Sequence, residues 1–295
     1  MKEVVVYHAL LALHMLPGMF HTLGFYLVYK VKTCLKNQRL LILNLAFTEM
    51  TICWLRVACI AIWLSTNGWP DEVDSVYRFF DVFLFGVFRL IIFHISVDRF
   101  TYIHLNIKYS LYMTRKIVYR ILVLVYITSS ILSAAMTILF YFHIVQELAW
   151  YYILLFVDTS ITTFAIVTYV YMYYIVKGLK RREDAFSHEK RQNLAWTKFK
   201  IPCFMVTTFI LFNFSGSIIR IIAFNGLNFN NKFIILNGIS NLLDTLGWTV
   251  DSLIYVFLQK DVRKYFMSFL RRGQKYSKNT CPNSDEKRQR PSCQV

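Results

Sequence analysis

Proline is scarce in this 295-residue chain, with five in all, and none of them falls in the middle of its last three apolar runs. Several other things are missing. No glycine-rich phosphate loop occurs, so there is no sign of a nucleotide enzyme. No Cys or His pairs stand at zinc-ligand spacing, and neither GxGD nor HExxH occurs, which leaves no metal set or catalytic pair for an intramembrane enzyme. No cofactor or metal is expected, and an enzyme is not. No internal repeat is present, and paired Gly or Pro interruptions at mid-depth, the mark of transporters with broken helices, are absent. The first apolar stretch lacks a small-x-small cleavage site, so residues 1–30 read as a retained span rather than a signal peptide. Acidic residues are few, 17 against 33 Lys and Arg.

What is present is apolar length. Seven runs, at about 4–30, 39–66, 76–103, 117–143, 149–177, 199–224 and 232–258, are each long enough to cross the hydrocarbon core as a helix. Lys and Arg fall almost entirely on alternate connections. Lys2, Arg78 and Lys232 are the basic residues of one side, while Arg56, Arg89 and Arg220 lie inside runs and the remainder cluster on the other side. Basic residues flanking spans stay in the cytoplasm, so the expected arrangement is a multi-pass plasma-membrane protein, N-terminus out and C-terminus in. The net charge of +16 is explained by this topology and by anionic lipid, without nucleic acid. No cysteine lies in an outer connection, so no extracellular disulfide is expected. The expected fold is an all-α seven-transmembrane helix bundle over residues 1–272, ending in an amphipathic eighth helix at 259–272. Residues 273–295 read as a disordered cytoplasmic tail, in which Cys281 and Cys293 are either palmitoylation sites or free thiols.

At the inner end of the third run the chain reads Ile95-Ser96-Val97-Asp98-Arg99-Phe100, leading to Ile107-Lys108-Tyr109. The second run carries Leu45-Ala46-Phe47-Thr48-Glu49. The seventh carries Asp251-Ser252-Leu253-Ile254-Tyr255, followed by Asp261-Val262-Arg263-Lys264-Tyr265-Phe266. In these segments the chain resembles the rhodopsin-like G-protein-coupled receptors, through their DRY, LAxxD and NPxxY motifs and eighth helix. The likeness covers residues 24–270. It departs from the family at several points. Asp74 stands where the third-span cysteine belongs, Tyr126 takes the fourth-span Trp position, and CWxP becomes Phe212-Asn213-Phe214-Ser215. The proline on which the family's sixth-helix swing turns is therefore absent.

The resemblance implies roles for particular residues. Arg99, beside Asp98 and Phe100, would line a G-protein cavity, with an interfacial arginine snorkelling to headgroups as the plain alternative. Tyr255 would rearrange on activation, or simply pack. Asp81 lies 18 residues before Arg99, which puts both on one face of a helix about 27 Å apart. In amine receptors of the family a carboxylate at this position pairs with the ligand ammonium. Here Asp81 has two readings, an amine contact or an internal partner for Arg56. Asp158, Thr159, Asn213 and Thr245 complete a candidate ligand pocket, although the hydroxyls beside Asp158 also suit bonds to their own helix carbonyls. Thr245 stands where opsins carry the retinal lysine, so light sensing is not expected. Glu49, Arg89 and Asp251 sit near mid-depth and must be paired there. The expectation is that Arg89 bridges Glu49 and Asp251 in the place of the family's sodium ion.

The functional expectation is a receptor for an extracellular small molecule, amine-like through Asp81, that activates a heterotrimeric G protein. A seven-span chemoreceptor or transporter-like membrane protein without G-protein coupling is the alternative. An epitope tag on the C-terminal tail should stain only permeabilised cells, and staining of intact cells would reverse the topology.

Overall fold

The computed structural model describes residues 2–31, 36–66, 71–105, 109–142, 144, 147–183, 203–204, 206–226, 231–257 and 262–268. The described residues are almost all helical, and no strand is found among them. The long elements are α1 (Lys2–Lys30), α2 (Lys36–Thr66), α3 (Asp71–Leu105), α4 (Arg115–Tyr141) and α5 (Glu147–Glu183). After them come α6 (Ser215–Gly226), continuous with a π-helical segment at Phe209–Phe214, and α7 (Asn231–Phe257). A single helical turn, Tyr109–Tyr112, lies between α3 and α4.

Among the described residues, six helical stretches are long and apolar enough to cross a membrane: 11–30, 39–66, 75–102, 115–141, 152–175 and 206–223. The expected seventh, α7, is as long as the rest but is not among them. It carries Asn237, Asn241, Asp244, Thr245 and Asp251 among its apolar residues.

Polarity in the bundle is inverted relative to a water-soluble fold. Ile131, Phe156 and Val167 lie open on the outer surface, at 66%, 73% and 63% exposure. Glu49, Asp158 and Asp251 are sealed inside. An ionisable side chain in hydrocarbon costs about 3 kcal/mol or more, so turning such groups inward is what a lipid solvent demands.

Each helix packs on its neighbour, α1 on α2, α2 on α3, α3 on α5, α5 on α6 and α6 on α7, and α7 closes the ring against α1. α3 runs through the centre. Its Phe85 meets Trp248 of α7, and its Phe88 meets Phe209 of the π segment. α4 lies outside the ring on α2 and α3. It is held there by Tyr126 Oη on Asn44 Oδ1 at 3.2 Å and by Ser133 on the Phe79 carbonyl. Thr114 caps its first turn by accepting from the Ile117 amide. Arg39 of α2 donates to the Val28 and Tyr29 carbonyls, which satisfies the open C-terminal end of α1.

The π segment falls where the sequence has FILFNF and lacks a proline. It inserts an irregular turn just ahead of Ser215. Beyond α7, residues 262–268 are helical. Val262 is sealed against Leu27 and Val31 of α1, and Phe266 packs beside them, while Arg263 and Lys264 are exposed. Tyr265 is exposed.

Two glycines mark where helices approach most closely. A Cβ on Gly247 would come within 2.9 Å of Phe212 Cβ, and one on Gly216 within 2.9 Å of Asp244 Oδ1. Gly238 has open space around it. Gly247→Val should lower stability in detergent by about 1–3 kcal/mol, whereas Gly238→Ala should be neutral or slightly stabilising. Thermal unfolding of the two purified variants separates these outcomes, and equal melting would contradict the packing at Gly247.

Candidate functional site

The candidate residues fall into separate polar clusters within the bundle. At the end of α3 nearest Leu105, Asp98 and Arg99 are both sealed, at 1% and 2% exposure. Arg99 Nε donates to Asp98 Oδ2 at 3.0 Å, and Tyr109 of the following turn donates to Asp98 Oδ1. The Arg99 guanidinium lies 5.4 Å from the Tyr102 ring centre. Phe100, partly exposed beside it, meets Tyr171 of α5. The guanidinium is thus folded onto its own helix, its charge held by the neighbouring carboxylate.

Further along, Glu49 of α2 faces His21 of α1 at 3.3 Å. Asp251 of α7 accepts from Thr208, and Glu49 lies within hydrogen-bonding reach of it. This cluster joins α1, α2, α7 and the helical residues ahead of the π segment.

Arg89 does not bridge Glu49 and Asp251. It turns the other way, to Asp158 of α5, with Nε on Oδ1 at 2.5 Å and Nη2 on Oδ2 at 3.0 Å. Ser217 of α6 adds a bond to Asp158 Oδ2 at 2.8 Å. The correction has a plain physical reason. Distance along a helix fixes depth, but the helix's rotation decides which neighbour a side chain meets, and the Arg89 face of α3 looks toward α5 and α6. The two-pronged geometry is the strong form of an arginine–carboxylate contact. Asp158 is consumed by it and is not a free pocket carboxylate. Thr159 is exposed on the outer side of α5 and bonds its own helix at the Leu155 carbonyl, 2.7 Å away, so it is not a pocket residue.

Arg220 of α6 pairs with Asp244 of α7 at 2.8 Å and reaches Asn241 at 3.3 Å. Asp244 and Asp251 are seven residues apart, nearly two full turns, and so share one face of α7.

Arg56 and Asp81 also meet. Arg56 stands ten residues before Thr66 at the end of α2, and Asp81 ten after Asp71 at the start of α3. Both are therefore about 15 Å from the α2–α3 connection and level with each other. Their closest approach, Nη2 to Oδ1, is 3.9 Å. The Arg56 guanidinium lies 4.9 Å from the Trp248 ring centre and 5.2 Å from that of Phe85. Thr245, a turn before Trp248, reaches His14 of α1 at 3.3 Å, and His14 lies within electrostatic range of Arg56. Asn213 sits in the π segment against Gly247, buried, and its amide finds no hydrogen-bond partner among the described residues.

Of the sequence candidates, then, the structure brings together Arg56 and Asp81, and separately Glu49 and Asp251, while Thr245 meets His14. The Tyr255 side chain, Cys281 and Cys293 lie outside the described residues. Sequence reasoning missed His14, His21, Ser217 and Asp244. The two histidines were visible as lone polar residues in the apolar run of α1. The Ser217–Asp158 contact had no sequence signal.

A scan against protein-family models finds no match, and a search of curated proteins finds none either. The function has to be argued from these clusters.

Removing one partner of the Arg89–Asp158 pair strands a buried charge. Arg89→Met alone should lower stability by about 3–5 kcal/mol, and adding Asp158→Leu should restore much of it. Melting of the single and double variants checks this. A single variant as stable as the parent would mean that the pair does not hold α3 to α5.

Proposed function

We propose that the chain is a seven-span receptor of the rhodopsin-like class, placed in the plasma membrane with its N-terminus outside. It binds a small molecule among α2, α3 and α7 and activates a heterotrimeric G protein through the face that carries Arg99. In this reading α7 is the seventh span. Its polar residues turn into the bundle, where Asp244 and Asp251 find Arg220, Thr208 and Glu49. The helical residues 262–268 lie along the inner leaflet, with Arg263 and Lys264 toward headgroups.

The observation that carries the reading is the state of Arg99. A guanidinium sealed at the end of the central helix and held by the adjacent carboxylate, which a tyrosine from the next turn also bonds, is a charge kept out of use. Releasing it from Asp98 would present up to five donors to the backbone carbonyls of a docking partner. Asp98 is the latch in this scheme, and Tyr109 secures the latch.

Purified receptor with a purified heterotrimer and radiolabelled non-hydrolysable GTP tests it. The parent chain should stimulate nucleotide exchange above receptor-free controls, Asp98→Asn should raise that basal rate severalfold, and Arg99→Ala should reduce it to background. If Arg99→Ala exchanges as fast as the parent chain, Arg99 is not the coupling contact.

A further inference from the structure

Among the buried arginines on the inward faces of α2, α3 and α6, Arg56 is bonded differently from the others. Arg89 is gripped by both oxygens of Asp158, and Arg220 sits 2.8 Å from Asp244. Arg56 stands 3.9 Å from Asp81, beyond hydrogen-bonding distance. Its Nε and Nη1 are buried and meet no acceptor among the described residues, although the residue is only 8% exposed. Trp248, whose ring it lies against, is fully buried, and its Nε1 is likewise without an acceptor. Buried N–H donors on Arg56 and on the ring it lies against, beside a part-exposed carboxylate that Tyr77 Oη reaches at 3.5 Å, form an incomplete polar cluster. Buried donors left unmade are costly, so such a set points to an acceptor supplied from outside the chain.

Charge balance then selects the ligand. A simple amine docked on Asp81 would place two cations, its own and Arg56, against one carboxylate. A simple carboxylate on Arg56 would leave two anions against one guanidinium. Each leaves an uncompensated charge in a low-dielectric interior. A molecule carrying both charges leaves the site neutral, and an α-amino acid presents them one carbon apart, a spacing suited to two side chains less than 4 Å apart. We propose that this cluster is a recognition site for a free α-amino acid. The ligand carboxylate takes the unmet Nη1 edge of Arg56, and its ammonium takes Asp81. The proposal rests on the receptor reading for the site's access from outside. It refines the amine expectation for Asp81, since the ligand must bring its own anion for Arg56.

Thermal unfolding of the full chain in detergent, with no G protein present, tests the site independently of signalling. The probes are the common α-amino acids at millimolar concentration, each set against its decarboxylated amine and its N-acetyl derivative. At least one amino acid should raise the melting midpoint by a few degrees, while its amine and its N-acetyl form do not. Arg56→Gln and Asp81→Asn should each weaken that effect tenfold or more in apparent affinity. Arg56→Lys, which keeps the charge and loses the fork, should retain the fold and lose most of the binding. The proposal is overturned if no amino acid shifts the midpoint, if the amines shift it as much, or if Arg56→Gln responds like the parent chain. Nucleotide exchange failing while the amino-acid shift persists would remove the receptor reading and leave the site standing.

Discussion

The structure depends on one constraint: an ionisable side chain turned away from an apolar exterior must find its counter-charge inside. The exposed surfaces of α4 and α5 carry isoleucine, phenylalanine and valine, and the charges are driven to the centre. There they act as cross-links between helices. Arg89–Asp158 ties α3 to α5, Ser217 extends that tie to α6, Arg220–Asp244 ties α6 to α7, and Glu49 connects α1 through His21 to the Asp251 face of α7. Apolar packing between such helices has weak directional preference, because lipid tails compete for the same contacts. Polar pairs therefore do much of the work of fixing which helix sits beside which.

These ties are not all of one kind. Those at α3–α5 and α6–α7 are short and saturated, which suits fixed joints. Asp98–Arg99 is a contact within one helix, with Tyr109 of the following turn bonded to its carboxylate. Arg56–Asp81 is long and unsaturated. In the proposed reading, the saturated pairs serve as scaffold and the unsaturated one as the site.

Much of this was legible in the residues. The apolar runs marked the helices, and lone charges inside them marked the interior positions. Equal depth from the α2–α3 connection made Arg56 and Asp81 a readable pair. What could not be read was rotation. Arg89 and Glu49 share a depth, yet a helix sets side chains 100° apart, and the facing neighbour depends on how α3 is turned within the ring. Thr159 shows the same limit: it adjoins buried Asp158 in sequence and faces the opposite way. In α7, Asp244 and Asp251 stand among apolar residues because that face meets the interior clusters.

The irregular turn at Phe209–Phe214 has a consequence for everything downstream. A π turn accommodates one more residue than an α turn, so it offsets the phase of the helix that follows by about 100°. Ser217 points at Asp158, and Arg220 at Asp244, only because of that offset. Were the extra residue absorbed into regular α geometry, both side chains would rotate off their partners in the same movement. The phase of this one helix is thus a shared setting for the α5 and α7 contacts.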